Sequence, residues 1–219
     1  MAPLQGPDQV IPTLRDLAHI PFTSVPPVPA YSHQDNGEKK QIFLQGVPEK
    51  YVVLFNIVCP RFPELANEQV VFRLKRIRTT MAARPSLAFW KRKYYVTINN
   101  HKGFDGIHFD EIPFNAQIGL IAHELCHILD YKYKTRFQLI KTGLQLLSRK
   151  GKMTFEKTID LLTIYKGFGY QLKDWAQYAM FDGKATPEYK NFKKIHYLNP
   201  DQIDSIIKAT YSDMGRKMD

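Results

Sequence analysis

The chain reads as an α+β protein, a small N-terminal sheet followed by a mainly helical C-terminal half. Three observations point there. Residues 69–78 and 93–99 mix β-branched and aromatic residues with basic ones in the manner of strands. From residue 116 onward, apolar residues recur at helical spacing. Strands early and helices late is the order of an α+β chain, because a βαβ protein would alternate them.

The first segment, 1–47, holds Pro3, Pro7, Pro12, Pro21, Pro26, Pro27 and Pro29, half of the chain's 14 prolines. It has no period and cannot build a core, so it is expected to lie as an extended arm or to be partly disordered. Ile11, Leu14, Leu17, Ile20 and Phe22 are spaced to anchor it. The folded domain is expected over 48–219. Residues 49–58 are apolar and helical, stopped by Cys59-Pro60 and Phe62-Pro63. The strand at 69–78 leads into a loop at 79–86. A second strand at 93–99 is closed by Asn99-Asn100 and then Gly103 and Gly106. Helices follow at 116–131, 135–148, 153–166 and 171–180. Another opens at Asn199-Pro200, where Asn caps and Pro takes the first turn.

Composition narrows the class. A chain of 219 residues, 44% hydrophobic and 24% charged, can bury one good core. No apolar run approaches the roughly 18 residues needed to span a bilayer, so no membrane partner is expected. The N-terminus lacks the basic start and apolar stretch of a secretory signal, which reads as cytoplasmic unless a leader has been trimmed. With only Cys59 and Cys126, one of them inside a helix, no disulfide is expected. The net charge of +10 is spread along the chain, and a solvated surface accounts for most of it. Nucleic acid therefore ranks below peptide or protein as a partner.

The chemistry concentrates in 121–131. His123-Glu124-Leu125-Cys126-His127 is the HExxH pattern of zinc-dependent hydrolases. Residues i and i+4 lie one turn apart on one helix face, so two imidazoles can grip one metal ion. Glu124, beside the first histidine, can take a proton from water at that metal. Asn115 is a plausible N-cap. Ile118, Ile121, Ala122, Leu125 and Leu129 form the buried stripe. Asp130, i+3 from His127, reads either as a further partner behind the ligands or as a polar residue at the helix end, the second being preferred. A strand at 93–99, just ahead of this helix, could hold an extended peptide if it forms the sheet edge, and is an ordinary internal strand otherwise.

A catalytic zinc usually takes three protein ligands. No histidine follows His127 closely, and Glu156 is the better third candidate. Glu156 and Asp160 are i and i+4 on a segment of helical rhythm, so one can ligate while the other orients an imidazole. Tyr165, Tyr170 and His196 are candidate donors to an oxyanion.

With Glu156-Lys157-Thr158-Ile159-Asp160 following the HExxH, the chain resembles the gluzincin metallopeptidases, the thermolysin-like group with HExxH and then ExxxD on a second helix. Over its whole length it looks more like small single-domain bacterial zinc peptidases. The resemblance covers 123–160. It implies a zincin-like fold, Zn2+ on His123, His127 and Glu156, Glu124 as general base, and Asp160 orienting His123. The implied function is a zinc peptidase acting on peptides or proteins. Two alternatives stand beside it. SprT-like DNA-associated proteases share His-Glu-Leu-Cys-His but look for a third histidine that 128–150 lacks. A non-catalytic zincin-like binding protein would have no use for Glu124.

Overall fold

A computed structural model describes residues 43–44, 48–86 and 92–215, with side chains over 48–86 and 92–210. The architecture is α+β. A four-stranded sheet comprises β1 (Phe43–Leu44), β2 (Gln69–Lys75), β3 (Met81–Pro85) and β4 (Lys93–Asn99), in the order β1-β2-β4-β3. β2 runs parallel to β4, with Phe72 opposite Val96. β3 is antiparallel to β4, with Ala83 opposite Val96. The expected arm falls outside the described residues except for β1, which pairs with β2 at Phe43↔Val71.

The helices are α1 (Glu49–Val58), α2 (Phe114–Tyr133), α3 (Arg136–Gln145), α4 (Arg149–Thr163), α5 (Gly169–Gln177), α6 (Pro187–His196) and α7 (Pro200–Gly215). α2 is the axis of the molecule. It packs on α5, α4, α1 and β3, and 14 of its 20 residues are buried. Gly119 makes the closest crossing, because a Cβ there would sit 2.2 Å from the Gln171 carbonyl oxygen of α5. The core joins α2 to the inner face of the sheet through Phe72, Tyr94, Val96 and Ile121.

Several elements differ from expectation. The stretch 79–86 is no loop: Met81, Ala83 and Pro85 reach Ile98, Val96 and Tyr94 across the ladder. Short Ala-Ala-Arg-Pro hides this strand, since alanine and proline carry little β preference. The strand expected over 69–78 is β2, and it stops at Lys75. α2 starts at Phe114 with Pro113 as N-cap, so Asn115 lies inside the first turn and its amide reaches Asp174. α4 begins at Arg149, capped by the Ser148 side chain, so Arg149, Lys150 and Lys152 are helical rather than in a turn. Ile164–Phe168 is a π turn around Gly167 at φ 88°, a conformation that favours glycine. α6, capped by Thr186 with Pro187 in the first turn, was not expected at all.

Candidate metal centre

Two helices converge on one point. His123 and His127 stand one turn apart on α2, and α4 carries Glu156 against them; all three are buried. Nε2 of His123 and Nε2 of His127 are 3.1 Å apart. Glu156 Oε2 is 3.4 Å from the first and 3.3 Å from the second. Ligands at about 2.0–2.1 Å from a tetrahedral ion stand about 3.3–3.4 Å from one another. The three atoms thus already form the face of a coordination tetrahedron.

Their polar satisfaction agrees with that geometry. Glu156 Oε2 is buried with no hydrogen-bond partner. Such an atom is expensive to bury unless something positive faces it. Asp160 stands behind His123, its Oδ1 2.9 Å from the imidazole Nδ1. Its other oxygen accepts the Leu198 N–H at 2.8 Å, which locks the carboxylate in place. A carboxylate on Nδ1 keeps the proton there and leaves the Nε2 lone pair for a metal.

Electrostatics tell the same story. Burial would lower the His123 pKa, but Asp160 and Glu156 outweigh it and carry the imidazole up to about 10. Burial would raise Glu156, but His127 and His123 hold it well below the usual carboxylate range. A site that favours a proton in this way could also hold another cation of suitable geometry.

Glu124 is also buried, and its Oε2 accepts the backbone N–H of Ala83 at 2.6 Å. The sheet edge therefore holds this carboxylate beside the histidines. That edge is β3. The expected candidate, 93–99, is β4 and lies inside the sheet between β2 and β3. Asn99 N–H donates to Thr80 and Ser86 N–H to Lys93, so the even-numbered residues of β3 face β4. By alternation, the backbone groups of Met81, Ala83 and Pro85 face away from the sheet.

Of the expected oxyanion donors, none is brought to the cluster by a described contact. Tyr165 is 69% exposed. Tyr170 is partly buried against the core at the start of α5. His196 is buried, but its Nδ1 lies 2.9 Å from the Phe192 carbonyl oxygen and its ring packs on Phe192. Besides Tyr131, which stacks on His127 with ring centres 6.0 Å apart, the phenol that reaches the site is Tyr197, whose ring centre lies 5.7 Å from that of His123. Burial, then Glu156, Glu124 and Asp160, push its pKa well above the usual phenol value. Lys193 sits 4.1 Å over the same ring. Tyr197 ends α6, the helix without a sequence expectation, so nothing pointed to it. Asp130 pairs with Lys134 at 2.7 Å, in keeping with its reading as a polar residue at the helix end.

Among the described residues the His123, His127 and Glu156 group is the one set that could hold a metal ion. Among the described residues no third histidine joins it, and the third group is a carboxylate. No helix among the described residues is long and apolar enough to cross a membrane. Comparison with protein-family models, curated proteins and solved structures gave no match.

Proposed function

We propose that the chain is a zinc-dependent peptidase of gluzincin type, with His123, His127 and Glu156 holding the ion. The observation that carries this reading is the triangle of 3.1, 3.3 and 3.4 Å between the three ligand atoms. Two imidazole nitrogens and one carboxylate oxygen are a donor set zinc favours at catalytic sites. When bound, the ion would supply Lewis acidity toward a carbonyl and a water molecule.

The protein's own groups divide the remaining work. Glu124 takes the proton of the attacking water and passes it to the leaving amine. Its Ala83 hydrogen bond holds one oxygen, so the other is free for that transfer. Tyr197, kept protonated by its surroundings, donates to the developing oxyanion. A peptide in extended form adds to the free edge of β3, where the Met81 N–H and the Ala83 carbonyl are aligned to receive it. Glu124, buried beside the two histidines, favours a peptidase over a non-catalytic scaffold.

The test is a zinc analysis of the parent and of Glu156→Ala, paired with a peptide-library digest by the parent and by Glu124→Gln. We expect one zinc per parent chain, loss of zinc in Glu156→Ala, and loss of cleavage with zinc retained in Glu124→Gln. Equal zinc in the parent and Glu156→Ala refutes the ligand set. Cleavage unchanged in Glu124→Gln refutes the mechanism.

A further inference from the structure

The hairpin joining α2 to α4 gathers four of the seven large hydrophobic side chains exposed among the described residues, Phe137, Ile140, Leu144 and Leu147. Between Asp130 and Glu156 the sequence carries seven Lys or Arg and no Asp or Glu. In the middle lies α3, which packs only lightly on the remaining described structure. Its outward face is apolar. Phe137 is 84% exposed, Ile140 63%, Leu144 63%, and Leu147 just beyond the helix 83%.

The placement is regular. At about 100° per residue, Phe137, Ile140 and Leu144 fall within about 60° of arc. Arg136 and Lys141 lie about 40° beyond either margin, and Leu139, Thr142 and Leu146 point inward. The helix begins with a full capping box, Thr135 and Gln138 satisfying each other's backbone groups. Its first turn thus needs nothing on the outer face to satisfy those backbone groups. Arg149 and Lys150 extend the cationic margin past the C-terminal end, and both are exposed.

We propose that α3 is an interfacial helix that seats the protein on an anionic lipid surface. Apolar side chains at the centre enter the acyl boundary, while flanking cations meet lipid phosphates and carboxylates. A nucleic-acid binder would put its cations at the centre of the contact, and here the centre is Phe, Ile and Leu. The earlier expectation of no membrane partner rested on spanning segments alone, and a surface helix needs none. This inference does not depend on the metal chemistry. If both hold, the cleft works within one helix–helix hairpin of a bilayer.

The test is flotation of the full-length, zinc-loaded chain with vesicles of phosphatidylcholine alone or with added phosphatidylserine. The parent should bind the anionic vesicles at least about tenfold more tightly than the neutral ones, and high salt should weaken this. Phe137→Ser with Leu147→Ser should lose about tenfold in binding, with zinc content and circular dichroism unchanged. Lys141→Glu with Lys150→Glu should do the same by removing charge. Equal binding to both vesicles, no binding, or an unaffected Phe137/Leu147 variant overturns the proposal. So does a parent dimer that this variant converts to monomer, since a second copy would then cover the face.

Discussion

Asp160→Asn isolates the group behind the ligand without touching the ligand. Asp160 faces two nitrogens at once, its Oδ1 2.9 Å from His123 Nδ1 and its Oδ2 accepting the Leu198 N–H at 2.8 Å. An asparagine of the same shape has only one acceptor oxygen. If that oxygen keeps Leu198, the amide N–H2 faces the imidazole N–H; if the amide flips, it faces the Leu198 N–H instead. Either way two donors meet. The cheapest relief moves the imidazole proton from Nδ1 to Nε2, which occupies the lone pair a metal needs. Losing a partner of this kind typically costs about 10–100-fold in metal affinity, equivalent to about 1.4–2.7 kcal/mol. Competition against a fluorescent zinc chelator at neutral pH measures it. Asp130→Asn is the control, because its partner is Lys134 at the helix end. A zinc affinity for Asp160→Asn within about twofold of the parent would falsify the orienting role.

Other outcomes follow from the same geometry. Gly119→Ala adds a Cβ 2.2 Å from a backbone oxygen of α5, and over-packing against backbone should cost about 1–3 kcal/mol in urea unfolding. The helix-propensity gain of about 1 kcal/mol only partly offsets this, and an equal or higher midpoint would show that α2 and α5 are not so close. Tyr197→Phe should lower kcat by about 10²–10³ with little change in KM; an unchanged kcat removes it from the chemistry. Burial pushes the Cys59 and Cys126 thiols up to about 12, so a thiol reagent at pH 8 should label half-buried Cys59 slowly and buried Cys126 only once the chain is unfolded. Lys173 and Lys208 depress Asp204 from 3.8 to about 2. A depressed carboxylate stabilises fully above its ordinary value and less as pH falls toward 2. An NMR titration should find that midpoint, and Lys173→Ala should raise it.

How far residues alone could be read depended on the range of the interactions involved. His123, His127, Glu156 and Asp160 were legible because i and i+4 spacing on a helix is a local fact, and the structure brings all four together. β4 and α1 were legible for the same reason, with hydrophobic rhythm inside a single element. β3 was not. Its residues have weak strand preference, and its place comes from pairing with β4 and from the Ala83 bond to Glu124. Tyr197 was missed because its relation to His123 spans 74 positions and passes through a helix that polar, lysine-rich residues disguise. Tyr165, a candidate oxyanion donor by residue type, lies in the π turn with its ring in solvent.

The outer margin of β3 is chemically lopsided. Ala83 has already given its hydrogen to Glu124, Pro85 has none to give, and the Met81 oxygen is taken by the Thr79 hydroxyl. Two such borders laid side by side would confront each other with too few hydrogens to stitch a continuous ladder. The border can therefore welcome a foreign backbone that brings its own donors while discouraging runaway stacking of the protein upon itself.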